Sequence, residues 1–241
     1  NNVHDNNNPN VPQFGISGSA PVGTGIELAG GENDTVIGNE ISNQGNWGIV
    51  INDLPDPETP PAINPHPCSG GVQLGTICYF TGFGSTVAHN TLKSNGFFGN
   101  PTNGDLADGH IFHNPGNCWY ANHDPHGVTG APINIQTVLG TCGVANQGDL
   151  KVQAAILCIA FADPQSCAAL PPLRYPKETA PVLLPIPNQP TMENPCAGVP
   201  DDSWCDQGHS NNQESKVSTL MQSRVPVNVP EPMLAGLTVM H

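Results

Sequence analysis

Residues 105–127 read DLADGHIFHNPGNCWYANHDPHG and hold four of the nine histidines, His110, His113, His123 and His126, together with Asp105, Asp108 and Asp124. Neutral imidazole is a good ligand for zinc or copper, so two H-x-x-H pairs with carboxylates close by make a candidate transition-metal site. The spacing sets a condition on that site. Residues three apart on a strand face opposite ways, so only a turn or a helix lets such a pair converge.

The carboxylates suggest a second chemistry. Asp105 and Asp108 could act as general acid and base in glycoside hydrolysis, and Asp124 with His126 could move a proton lying next to a carboxylate group. The latter reaction also needs a positive charge or a metal to hold its anionic intermediate. Lys93 is the only cation in the first 115 residues, and both arginines, Arg174 and Arg224, stand well beyond them. Calcium is the hard cation that so acidic a chain would attract. No G-x-S-x-G, phosphate-cradling Gly–Lys loop or catalytic Cys–His pattern occurs.

The elements that must position these groups come from an uncommon composition. With 241 residues and 37% hydrophobic content the chain can build a real core, but 27 glycines, 26 prolines and 5% aromatics imply frequent turns and an aliphatic interior. Twenty acidic against six basic side chains give a formal charge of −14, which excludes a nucleic-acid backbone or an anionic membrane surface as partner. No apolar run approaches the roughly 18 residues of a helical membrane span.

Eight cysteines, none in a C-x-x-C pair, point to disulfides in an oxidising compartment rather than to a zinc ribbon. Connectivities number on the order of a hundred. Local closure favours Cys68 with Cys78, Cys118 with Cys142, Cys158 with Cys167, and Cys196 with Cys205. Asn33-Asp34-Thr35 is a sequon for N-glycosylation outside the cell. The start, NNVHDNNNPN, carries neither signal peptide nor methionine and is expected to follow processing or loss of upstream residues.

Internal repetition is the strongest signal. Gly25-Ile26-Glu27-Leu28, Gly48-Ile49-Val50-Ile51 and Gly71-Val72-Gln73-Leu74 share one phrase at equal steps of 23 residues. TVIGNEISNQG (35–45) matches TVAHNTLKSNG (86–96), and NNVHDNN fits the same frame with Val3 where Ile41 and Leu92 stand. Short strands with aliphatic residues facing inward, joined by Asn and Gly corners and returning in register, describe a coil of a solenoid. Glycine, and asparagine less easily, adopts the left-handed backbone such corners need. Stacked asparagines can also satisfy buried polar groups. A β-sandwich would supply short strands but not the equal spacing.

These phrases resemble the coils of right-handed parallel β-helix proteins, a secreted superfamily that includes pectate lyases, polygalacturonases and alginate epimerases. The resemblance covers residues 1–115 and implies an all-β solenoid. Asp124-Pro125-His126 is similar to the D-P-H core of alginate C5-epimerases, which implies roles for Asp124 and His126 at the sugar C5 proton. Gly127 follows where that family carries an acidic residue. β-Helix lyases pair basic residues with calcium, and this chain is poor in the former.

The organisation expected is therefore coils over 1–115 with a loop at 53–71 holding six prolines, a last strand and a capping helix over 116–170, and an extended Pro-rich tail over 171–241. The last strand falls at INIQTVLG (133–140). The helix spans 148–164 with Asp149 as N-cap and covers the open end of the coils. Two functions fit. One is a non-catalytic extracellular or cell-envelope component that binds polysaccharide through aromatic platforms such as Trp47, Trp119 and Tyr120, or packs against an envelope or matrix protein. The other is a polysaccharide epimerase, lyase or hydrolase. An open first coil would invite a second copy of the chain or an upstream fragment, with Asn1 to Asn8 paired to something.

Overall fold

The computed structural model of the protein describes residues 1–11, 18, 20–56, 68, 71–74, 77–112 and 114–177. Most elements are short strands: β1 (Asn2–His4), β2 (Ile26–Ala29), β3 (Thr35–Ile37), β4 (Glu40–Ser42), β5 (Trp47–Asn52), β6 (Leu54–Asp56), β7 (Val72–Leu74) and β8 (Ile77–Phe80). There follow β9 (Thr86–Ala88), β10 (Thr91–Lys93), β11 (Gly104–Asp108), β12 (Asn114–Pro115), β13 (Cys118–Tyr120) and β14 (Gly130–Ala131). The last elements are α1 (Ile135–Val138), β15 (Ala145–Asn146), α2 (Leu150–Phe161) and α3 (Pro164–Ala168).

Three sheets are wholly parallel. The first runs β14-β11-β5-β2, the second β13-β9-β3 and the third β1-β4-β10. The chain visits them in rotation: β2, β3 and β4 lie in the first, second and third sheets, β5 returns to the first, and β9, β10 and β11 repeat the round. Thr35 pairs with Thr86, Glu40 with Thr91, and Val3 with Ile41, which is the register of the TVIGNEISNQG phrase. Inward rows Val3–Ile41–Leu92, Val36–Val87–Trp119 and Ile26–Ile49–Leu106 meet in one hydrophobic core, aliphatic but for Trp119 and closed by Ile135 and Leu139.

Corners are built from two residues with separate tasks. Gly38, His89 and Ala121 follow the strands of the second sheet and all have positive φ, at 70°, 55° and 51°. The asparagines come one residue later. Asn1, Asn39, Asn90 and Asn122 pass a side-chain amide from level to level, Asn1 to Asn39 at 2.8 Å, Asn39 to Asn90 at 3.0 Å and Asn90 to Asn122 at 2.8 Å. Gln136 of α1 ends the row, its Oε1 accepting from Asn122 at 3.1 Å while its Nε2 donates back to the Asn122 carbonyl at 3.1 Å. The ladder asparagines therefore satisfy polar groups, while the left-handed turn falls to whatever residue precedes them. His89 and Ala121 accept the strain because both neighbouring strands are pinned.

Four expectations change. Gly71–Leu74 is not a third copy of the Gly-Ile phrase: β7 pairs antiparallel with β8, and the strand stacked on β5 is β11, with Leu106 opposite Ile49. Any half-buried strand alternates in this way, so the phrase alone could not tell them apart. Leu54–Asp56 of the Pro-rich loop is strand β6, tolerated because it lies at an edge beside β8, where Pro55 needs no donor. Residues 133–140 contain helix α1 rather than a strand, Ile135 and Leu139 turning to the core from one helical turn apart.

Helix α2 starts where expected, with Asp149 accepting from the Lys151 N–H at 2.8 Å. It lies on the outer face of the first sheet, not over the end of the stack: Val152, Ala155 and Ile156 pack on Val50, Ala107 and Ala131. Disulfides Cys68–Cys78, Cys118–Cys142 and Cys158–Cys167 are formed. Cys196 and Cys205 lie outside the described residues. At 171–177 the chain docks back, the Asn100 side chain donating to the Arg174 carbonyl at 2.8 Å and accepting from its N–H, with Tyr175 edge-on to Phe98.

Candidate functional site

Asp108 stands in register with Ile51 and, one level further, Leu28, so a carboxylate occupies a place that earlier levels fill with aliphatic side chains. It is fully buried. Its Oδ2 accepts from the Trp119 indole at 2.7 Å and from Asn117 at 3.1 Å, and its Oδ1 pairs with Nδ1 of the buried His110. The far ring nitrogen of His110 meets the Asn146 carbonyl of β15 at 3.0 Å. Burial alone would lower the His110 pKa, but the hydrogen bond and charge of Asp108, then the Asn146 carbonyl and Asp53, outweigh it and raise the value to about 9.

Asp53, directly after β5, is the second buried carboxylate of this cluster. It accepts from the Ile111 N–H at 2.7 Å and the Gly82 N–H at 2.8 Å, and burial pushes its pKa up to about 6 despite those bonds. Gln153 of α2 clasps the backbone of Asp53, donating to its carbonyl at 2.7 Å and accepting from its N–H at 3.1 Å. Asp53, Asn117, Asn146 and Gln153 were not among the sequence candidates. Their positions span a hundred residues and carry no motif, so only the fold unites them.

Asp105 belongs elsewhere. Three residues before Asp108 on the same strand, it is buried in a separate network, accepting from Asn95 at 2.9 Å and from the Thr129 N–H at 2.9 Å and hydroxyl at 2.8 Å. Asp105 and Asp108 thus do not form an acid–base pair flanking a substrate; both carboxylates are occupied by the scaffold.

Asp124 and His126 do come together. Residues 124–127 form a turn in which the Gly127 N–H donates to the Asp124 carbonyl at 3.0 Å. The His126 N–H donates to Asp124 Oδ1 at 2.6 Å, and the His126 ring nitrogen lies 3.5 Å from the same oxygen. The two side chains differ sharply in exposure, His126 at 84% and Asp124 at 6%.

The three described histidines of this stretch form no metal site. His110 is buried against Asp108, His123 and His126 are exposed on the far turn, and His113 lies outside the described residues. Among the described residues no group of three or more His, Cys, Asp or Glu could hold a metal ion, so the four-histidine zinc or copper site is not assembled there. Trp47 and Trp119 have no free face for a sugar: both are wholly buried, the Trp47 indole donating to the Thr102 carbonyl at 2.7 Å. Tyr120 is half-buried, edge-on to His89. Asn33 is exposed at a left-handed position before β3.

The third sheet instead presents two polar rows. Asn2, Glu40 and Thr91 stand level with one another, as do His4, Ser42 and Lys93, and of these six Ser42 is half-buried and the other five are exposed. Among the described residues no helix is long and apolar enough to cross a membrane. Compared with known proteins, the chain matches no family model, no curated protein and no solved structure.

Proposed function

We propose that this chain is an extracellular right-handed parallel β-helix with a non-catalytic role, a disulfide-stapled scaffold that binds glycan along its third sheet or packs there against envelope or matrix proteins. The disposition of its reactive side chains carries this reading. Asp105, Asp108 and His110, the groups best suited to acid–base work, are buried and saturated by Thr129, Asn95, Trp119, Asn117 and Asn146. The cyclic return of the chain through three parallel sheets supports the β-helix, and three disulfides support an oxidising compartment. Rows of donors and acceptors repeating at the strand spacing of about 4.8 Å suit a polar chain that itself repeats. A further coil or a second copy set against β1 would continue the asparagine row.

Incubation with alginate, pectate and neutral glycans tests this reading. Binding without turnover is expected, weakened at least tenfold when Glu40 and Lys93 are both replaced by alanine. New reducing ends, unsaturated products or epimerised uronates, lost in Asp124→Asn, would instead establish a polysaccharide-modifying enzyme working through the buried Asp124 carboxylate and the exposed His126 ring beside it.

A further inference from the structure

The geometry points to a self-cleaving peptide bond between Asp124 and Pro125. Three features of the 124–127 turn converge on that bond. The Asp124 side chain is tied to the backbone just beyond that bond, Oδ1 accepting from the His126 N–H at 2.6 Å. The carbonyl of the same residue is polarised by the Gly127 N–H at 3.0 Å, a donor already in place for an oxyanion. The nitrogen on the other side belongs to proline, a tertiary amide that leaves as a secondary amine. His126, 84% exposed and 3.5 Å from Asp124 Oδ1, is free to take up and give a proton.

The Asp124 carboxylate attacks its own carbonyl carbon, closing a five-membered ring whose oxyanion Gly127 holds. The C–N bond then breaks, its electron pair goes to the Pro125 nitrogen, and that nitrogen takes a proton from the His126 imidazolium. A cyclic anhydride of Asp124 remains. Water opens it and releases two protons, one returning to His126 and the other passing to the Pro125 amine, so one water is consumed, the side-chain carboxylate is regenerated and Asp124 gains a free α-carboxylate. The attacking and attacked atoms belong to one residue, so the step pays no cost for bringing reactants together.

Cleavage here would not separate the pieces. Cys118 and Cys142 lie on either side of the bond and are joined, while β13 stays paired with β9 and β14 with β11. The product is a nicked, fully folded protein with Pro125 as a new N-terminus at the surface.

The whole chain, produced in an oxidising host and incubated at neutral pH with protease inhibitors, is followed by mass and gel. The expected result is a non-reduced mass increased by one water, a single band without reductant, and two bands with it, the smaller beginning Pro125-His126-Gly127. Asp124→Asn keeps the acceptor for the His126 N–H but loses the nucleophile, and stays whole. His126→Ala slows the cut by about a hundredfold. A wild-type chain that remains one band under reduction after prolonged incubation overturns the proposal. So does a cut at the same bond in Asp124→Asn.

Discussion

Asn90 holds Asn39 twice: its Oδ1 accepts the Asn39 backbone N–H at 2.9 Å and the Asn39 side-chain amide at 3.0 Å. Its own amide donates to the Val36 carbonyl at 2.9 Å and to Asn122 at 2.8 Å, so a single buried side chain serves partners on the levels either side of it. Asn90→Ala strands the Asn39 N–H and the Val36 carbonyl in the interior. At about 1–3 kcal/mol for each unsatisfied group, the expected loss is about 3 kcal/mol or more, read from the urea midpoint.

Gly48 tests a different constraint. It does not have a positive φ; a Cβ there would lie 2.6 Å from the Asp105 carbonyl, backbone of the strand stacked on β5. Gly25 is placed likewise against the Gly48 carbonyl at 2.5 Å. Glycine opens the Gly-Ile phrase because adjacent levels approach too closely for any side chain. Gly48→Ala is expected to cost about 1–3 kcal/mol by forcing β5 and β11 apart, measured as a lower denaturation midpoint with an unchanged denaturant slope.

The Asp53–His110–Asp108 cluster sets a pH dependence. Asp53 titrates in the folded protein at about 6 against an ordinary 3.8, so its contribution is complete below 3.8 and is lost as pH rises through 6. His110 titrates at about 9 against 6.5, so the stability it supplies is complete below 6.5 and is lost as pH rises through 9. Both carry the same sign. Glu27, on the outer face of the first sheet in register with Val50, adds to it, burial raising its pKa from 4.5 to about 7. The melting temperature is expected to fall steadily from about pH 4 to pH 9.5. His110→Gln should flatten the limb above pH 7 while leaving the acid limb; a profile that rises with pH over this range would contradict the assignment.

The sequence displayed its levels unevenly. The offset between 35–45 and 86–96 was legible because both copies keep threonine, a small aliphatic core residue and the ladder asparagine at matching places. The next level was hidden. Thr86, Val87 and Ala88 lie opposite Cys118, Trp119 and Tyr120, and only Asn122 preserves the letter found at Asn90. Near the end of the stack a larger side chain fills the core and a disulfide anchors the strand, so the pattern departs from the residues that define it elsewhere.

Candidate chemistry was legible by type and not by direction. His110 and His126 look alike in a string, yet one is locked between Asp108 and Asn146 and the other stands in solvent. Asp108 occupies a core row because Trp119 and Asn117 supply donors to meet it there, a long-range fact that local spacing does not encode.

Gln136 carries one methylene more than the asparagines it follows, and it comes from the four-residue helix α1 rather than from a strand. Stacked strands have no natural length. Each finished level is a template, and a bare template recruits whatever extended chain meets it, the physics of fibril growth. By answering Asn122 with both donor and acceptor, Gln136 turns a repeating pattern into a finite object. It does so with the neighbouring Leu139, whose carbonyl accepts the Trp119 N–H at 2.9 Å, so one short helix answers both the side-chain row and the backbone edge of the last strand.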